Sequence, residues 1–286
     1  MIKEAKALIE LMRPKEWYKN LVVFLGIFFS IHLFNFNLLL KVFFSFAILC
    51  LASGAVYGIN DFVDLEKDKK HPTKRKRPLP SGRINKLQAI LFILFLLILS
   101  VYFSFSLNYL FGLGILIFLL SSLIYTLFLK NIFLLDIIVI SINFFLRAFL
   151  GAVVIGVVPS LWLIMGTFML ALFLALVKRK GELNILEKKA KEHRSVLQFY
   201  NKNIIDHLIH FTLFSIFVCY LMYSIIAKAD SLMILTVPVA TYLIFRLYFV
   251  ILRDKFISGP QDILKDRGII IGSIIFFILM MVILYY

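Results

Sequence analysis

Apolar segments long enough to cross a bilayer recur along the whole chain. They lie near residues 20–36, 38–60, 88–107, 109–129, 132–157, 160–177, 208–227, 231–252 and 268–286. A hydrocarbon layer about 30 Å thick takes about 20 apolar residues of helix, and backbone inside it must satisfy its own hydrogen bonds. The expected fold is therefore an all-α polytopic membrane protein, a single domain over residues 1–286 built as a bundle of about nine transmembrane helices. Composition agrees, since 62% of the residues are hydrophobic and the mean hydropathy of +0.97 lies outside the range of soluble domains. Only Asn35 and Asn37 separate the first two segments. Eight spans rather than nine would put the C-terminus on the other face.

Charge gives the orientation. Of the 31 Lys and Arg residues, 27 fall in residues 1–19, 61–87, 178–207 and 253–267 or at Lys130. The opposite turns carry only Lys41 and Lys228, and Arg147 and Arg246 lie inside spans. The basic loops are expected on the cytoplasmic side of a multi-pass cell-membrane protein. The net charge of +15 thus describes one membrane face, and no module suited to nucleic acid accompanies it. Residues 3–19 read as an amphipathic interfacial helix broken at Pro14, with no cleavable signal pattern. Cys50 and Cys219 sit in apolar segments and indicate no disulfide framework. His193, His207 and His210 show no metal-binding spacing.

The densest chemistry lies in residues 57–83, YGINDFVDLEKDKKHPTKRKRPLPSGR. Asp61, Asp64 and Asp68 are spaced i, i+3, i+7, which at about 100° per residue places all three on one helix face and turns Glu66 away. Asn60 precedes them, and Lys74, Arg75, Lys76 and Arg77 follow. Carboxylates at a membrane boundary suit hard divalent cations, and a basic loop beside them suits phosphate, so the pattern fits a Mg²⁺-bridged diphosphate. The plainer reading is a solvated helix end followed by a topology signal. The shared face and the adjoining phosphate-suited loop favour the first.

Two further groups stand out. Asp136, Asn143 and Arg147 are spaced i, i+7, i+11 and form one polar stripe on an apolar helix. Asp136 and Arg147 are about 16 Å apart along that helix and cannot pair with each other. Each needs a partner from elsewhere, a structural ion pair or a polar substrate. Lys178, Arg179 and Lys180 close the sixth span, with Glu182 on the same face as Lys178. Such a run commonly anchors a helix at the headgroups. The stretch 187–194 reads as a solvated helical surface.

N-D-x-x-D-x-x-x-D, formed by Asn60, Asp61, Asp64 and Asp68, resembles the first aspartate-rich motif of the UbiA superfamily of intramembrane transferases, and R-P-L-P-S-G from Arg77 to Gly82 fits the same family. The chain is most similar to the branch that moves phosphoribose onto polyprenyl phosphates. That likeness rests on R-P-x-x-W-x-K-N (Arg13, Pro14, Trp17, Lys19, Asn20), H-P-T-K-R-x-R-P (His71 to Pro78), Tyr125 with Lys130 and Asp136, K-R-x-x-E-L (Lys178, Arg179, Glu182, Leu183) and PQDILKDR (260–267). The resemblance implies a Mg²⁺-dependent transfer from phosphoribosyl diphosphate to a polyprenyl phosphate at a cytoplasmic-side cavity. Asp61, Asp64 and Asp68 would be catalytic metal ligands. Lys19, Asn60, Lys74, Arg75, Arg77, Tyr125, Lys130, Asp136, Asn143, Arg147, Lys178, Arg179 and Glu182 would be substrate-binding candidates. Aromatic prenyltransferases of the superfamily carry a second motif, D-x-x-x-D, after the sixth span. Here Lys178, Arg179 and Glu182 stand in that place, which favours an additional phosphate over a prenyl diphosphate donor. A transporter would show polar groups through both halves of the bundle, whereas here they gather on one side.

Overall fold

The computed structural model describes residues 2–186, 195–226, 232–253, 259–263 and 265–286. The stretch 187–194, with His193, and Lys228 lie outside the described residues. Eight helical segments among the described residues are long and apolar enough to cross a membrane. They match eight of the nine expected spans, and the chain is a multi-pass membrane protein.

The chain divides into two compact units, residues 1–130 with 146–159 and residues 131–145 with 160–286. In the first, α1 (Ile2–Leu11) leads into a 3-10 stretch at Pro14–Phe24 and the short α2 (Leu25–Phe29). Helix α3 (Phe36–Val63), α4 (Leu65–Lys70), α5 (Lys86–Leu107) and α6 (Tyr109–Leu127) follow. Helix α3 packs on both α5 and α6. Helix α7 (Leu135–Val154) gives residues to both units. The second unit holds α8 (Leu161–Leu186), α9 (Lys202–Ile226), α10 (Val237–Arg253), α11 (Pro260–Ile263) and α12 (Arg267–Tyr285). There α8 packs on α9, and α10 on α12.

Polar residues mark the helix starts. Asn35, Asn108 and Asp266 accept hydrogen bonds from the backbone N–H groups of Leu38, Phe111 and Ile269. Asn85 and Gln88 form a reciprocal capping box at the start of α5. A helix leaves its first N–H groups unpaired, and at the edge of a low-dielectric layer those groups need side-chain acceptors. The bilayer, rather than water, is the environment of the outward faces: Phe95, Ile98 and Phe103 on α5 are all exposed.

The first expected span, 20–36, has a different form: 3-10 turns and the five-residue α2. Close backbone packing explains it. A Cβ on Gly26 would lie 2.6 Å from the Ala152 nitrogen, and one on Gly151 would lie 1.9 Å from the Val23 carbonyl oxygen. The segment is pressed onto the second half of α7, with Val23, Ile27, Leu150 and Val154 in one buried cluster. Gly151→Ala is therefore expected to destabilise the protein by about 1–3 kcal/mol, because backbone rather than a flexible side chain must move. A thermal melt in detergent would check this, and an unchanged melting temperature would contradict it.

Residues 3–19 follow the expected pattern. Helix α1 ends at Leu11, and Pro14 begins the 3-10 stretch. Between them Arg13 adopts a left-handed conformation with φ 52°, which is uncommon and costly for a residue with a Cβ.

Candidate active site

Helix α3 ends at Val63, between the first and second of the three aspartates. Asp64 leaves helical geometry with φ −91° and ψ 8°, and α4 resumes at Leu65. The interruption is slight, because the Asp68 N–H still donates to the Asp64 carbonyl at 2.8 Å. The three carboxylates nonetheless take two different settings. Asp61 and Asp68 are almost fully buried, at 1% and 2% exposure. One nitrogen of Arg77, Nη1, donates to both, at 2.9 Å to Asp61 Oδ1 and 2.7 Å to Asp68 Oδ2. Arg13 Nη2 donates to the same Oδ1 of Asp61, and Lys74 Nζ lies 3.6 Å from Asp68 Oδ1. Asp64 is half-buried and pairs with Lys130 at 2.6 Å. Glu66 is exposed and pairs with Lys69, as its angle predicts.

The loop that brings Arg77 here is held locally. His71 Nδ1 accepts from the backbone of Thr73 and Lys74, and Leu65, Leu79 and Ile84 share a buried cluster with Ala7 and Leu11. The two prolines beside Leu79 deny the chain a regular helix there and suit a tight turn. Arg75 is exposed.

Other predicted residues of the first unit stand in varied surroundings. Lys19 pairs with Glu16 one turn away. Asn60 and Tyr125 are half-buried. Arg147 is 9% exposed and its guanidinium carbon lies 4.8 Å from the centre of the Phe118 ring, a cation–π contact that offsets part of its burial.

The second unit gathers a separate charged cluster. Asp136 is fully buried. It accepts from Arg179 Nε at 2.8 Å and from the Tyr200 hydroxyl at 2.6 Å. Arg179, at 1% exposure, also donates from Nη1 to Glu182 at 2.6 Å. Lys180 donates to Asp206 at 2.6 Å and to the Ile251 carbonyl at 3.2 Å. Of the three cations closing α8, only Lys178 is exposed. Headgroup anchoring therefore does not describe Arg179 or Lys180, which point inward to carboxylates. The Tyr200 phenol is pushed above its ordinary value by burial and by its bond to the Asp136 carboxylate. Asn143 is buried.

The sequence sets Arg13 within a motif without marking it as a site residue, and it does not single out Tyr200. The Arg-Pro dipeptide at the end of the amphipathic stretch was the available signal for Arg13. A lone Tyr in a polar loop gave none.

Among the described residues no three His, Cys, Asp or Glu side chains are close enough together to hold a metal ion. The donor chemistry of the acidic pair still fits one. Asp61 and Asp68 turn hard oxygen donors onto a single positively charged nitrogen, and carboxylate oxygen is what Mg²⁺ takes from a protein.

Residues 20–256 match the model of the UbiA prenyltransferase family. The chain belongs to that family. It is 30% identical to decaprenyl-phosphate phosphoribosyltransferase of Mycolicibacterium smegmatis over 275 residues, covering 91% of this chain and 86% of that protein. It is 27% identical to the protein of the same name from Mycobacterium tuberculosis over 265 residues, covering 91% of this chain and 88% of that one. Among solved structures, a UbiA homolog from Archaeoglobus fulgidus bound to GPP and Mg²⁺ superposes with a TM-score of 0.75 at 18% identity, over 98% of this chain and all of that one. As a UbiA family member the protein is a membrane transferase, and the acidic pair with its basic loop lies inside the matched region.

Proposed function

We propose that the protein transfers 5-phosphoribose from phosphoribosyl diphosphate to a polyprenyl phosphate of decaprenyl type, releasing diphosphate. The observation that carries this reading is the 30% identity, over nine-tenths of the chain, to a relative named for that transfer. The charge arrangement supports it. Arg13, Lys74, Arg77 and Lys130 surround three carboxylates in the first unit. In the second, Arg179 and Lys178 stand where a second acidic motif would serve a prenyl diphosphate donor. The whole of residues 1–286 works as one catalytic domain of the cell membrane, with its chemistry on the cytoplasmic side, where the basic loops lie.

The reaction is a displacement at the anomeric carbon. An oxygen of the lipid phosphate forms the new C–O bond as the bond to the diphosphate breaks, and the diphosphate leaves with the electron pair. The lipid phosphate is already anionic near neutral pH, so no strong general base is needed. Asp61, Asp64 and Asp68 would hold Mg²⁺. An ion held there would offset the charge of the diphosphate and make it a better leaving group. The residues' own task is to hold anionic groups within each unit. Arg77, Lys74 and Lys130 supply charge-assisted contacts on the acidic side, with Asn60, Lys19, Arg75, Tyr125 and Arg147 as further contacts from the first unit. In the second unit, taken by itself, Lys178 and Asn143 are contacts for a phosphate oxygen, Glu182 for a hydroxyl, and Asp136 acts by orienting Arg179.

A second reading, prenyl transfer from a prenyl diphosphate, is favoured by the fold shared with the GPP-bound homolog. One assay separates the two. Purified protein with Mg²⁺, labelled phosphoribosyl diphosphate and decaprenyl phosphate is expected to yield lipid-linked phosphoribose. Turnover only with geranyl or geranylgeranyl diphosphate and an acceptor would overturn the phosphoribosyl reading.

A further inference from the structure

Asp61 Oδ1 accepts from two guanidinium groups, Arg13 Nη2 and Arg77 Nη1. A carboxylate oxygen offers two lone-pair positions. With both engaged, a divalent cation can take that oxygen only if one donor leaves. The surroundings distinguish the two donors. Arg77 is tied to Asp68 as well through the same nitrogen. Arg13 makes no second carboxylate contact among the described residues, and its side chain is 22% exposed. Its guanidinium carbon also lies 4.8 Å from the centre of the Tyr57 ring, a cation–π contact that does not depend on the carboxylate.

The backbone beneath Arg13 is firmly seated. Met12 packs on Gly54 of α3, where a Cβ would meet the Met12 side chain at 3.1 Å. Trp17 Nε1 donates to the Met12 carbonyl at 3.3 Å. Arg13 itself is left-handed, at φ 52°. A strained, anchored backbone that aims one partly exposed cation at a buried carboxylate is the kind of feature that concentrates at functional sites.

We propose that Arg13 is an exchangeable counter-ion of the acidic site. It holds Asp61 until a divalent cation takes that oxygen, and it then turns its guanidinium to the diphosphate that the cation carries. Binding of cation and diphosphate is thereby coupled: the cation alone must evict Arg13, whereas cation with diphosphate gives Arg13 a new anionic partner. This inference rests on the reading of the site as one for a metal-bound diphosphate, and not on the identity of the group transferred.

The test uses the full chain in detergent and two titrations. The chain has two tryptophans, Trp17 and Trp162, so Trp162→Phe leaves Trp17, four residues from Arg13, as the reporter. Mg²⁺ is titrated alone, and inorganic diphosphate is titrated at saturating Mg²⁺. Arg13→Gln is expected to bind Mg²⁺ alone about threefold more tightly, because Asp61 has lost a competitor. It is expected to bind diphosphate about tenfold more weakly, because a charge-assisted contact is gone. Arg13→Lys, which keeps the charge on a flexible stem, should fall between Arg13→Gln and wild type in both titrations. Opposite movement of the two affinities is the signature. If Arg13 only braces the N-terminal segment, both affinities fall together in both variants, and that result overturns the proposal. Unchanged affinities, or tighter Mg²⁺ with unaltered diphosphate binding, also overturn it. Opposite shifts in a protein that transfers no phosphoribose would sink the proposed reaction and leave Arg13's role standing.

Discussion

Asp61→Asn and Asp68→Asn are each expected to lower kcat by on the order of 10³ or more while leaving the melting temperature nearly unchanged. An ion stabilising charge on a departing diphosphate contributes several kcal/mol to the transition state, and each 1.36 kcal/mol is a tenfold change in rate. Removing one oxygen ligand of a hard cation forfeits much of that. Stability should survive because the cations left behind are not trapped: the Arg77 and Arg13 side chains are 27% and 22% exposed, so water can solvate them. Asp64→Asn should follow the same course through a different neighbour, Lys130. Glu66→Gln is the control, since Glu66 is exposed and, among the described residues, pairs with a lysine of its own helix. Steady-state kinetics with thermal melts decide the matter. Equal losses at Glu66 and Asp68, or a collapse of the melting temperature in Asp61→Asn, would show that the acidic site has been misread.

Much of this was legible in the sequence because the bilayer imposes simple rules. Hydropathy located eight of the spans, most to within about three residues; the helices at Leu161–Leu186 and Lys202–Ile226 run further, past the charged residues that bound the apolar stretches 160–177 and 208–227. The exception, 20–36, is apolar enough to span but is shaped by close backbone approach at Gly26 and Gly151, a tertiary contact that no local pattern encodes. Helical periodicity correctly separated Glu66 from the three aspartates. It did not foresee the turn at Asp64, where Asp64 pairs with Lys130 apart from the bridge between Asp61 and Asp68. The rule that an ionisable group in hydrocarbon needs a partner held for Asp136, and the argument that this partner is not Arg147 held too. Naming Arg179 and Tyr200 instead required the fold, because the pairs span 43 and 64 residues. Charge statistics suggested that residues 178–180 face headgroups. Packing against Asp136 and Asp206 turned two of the three inward.

That buried pairing leads to the second large effect. Asp136→Leu is expected to destabilise the protein by about 3–5 kcal/mol, since it leaves the Arg179 guanidinium buried without its main carboxylate. Arg179→Met should cost a similar amount by stranding Asp136, which is 0% exposed. Tyr200→Phe removes one hydrogen bond to a charged group and should cost less, about 1.5–3 kcal/mol. The phenol's upward shift means that it stays protonated across neutral pH. Its contribution is complete below the unfolded-chain value near 10 and is lost only as pH rises through the higher folded value. The informative variant combines all three changes, Asp136→Leu with Arg179→Met and Tyr200→Phe. It exchanges the ionic network for apolar packing, and Glu182, whose side chain is 26% exposed, can turn to water. Such replacements are often neutral or stabilising, so the triple variant should regain most of the stability that the single ones lose. Its kinetics then isolate the charge of Arg179. If Arg179 serves a substrate phosphate as well as Asp136, the refolded triple variant will show KM for one phosphorylated substrate raised about tenfold or more, the value of a charge-assisted contact. A stable triple variant with wild-type KM for both substrates would make the network purely architectural. It would also leave the exposed Lys178 as the cation that stands in place of the missing acidic motif.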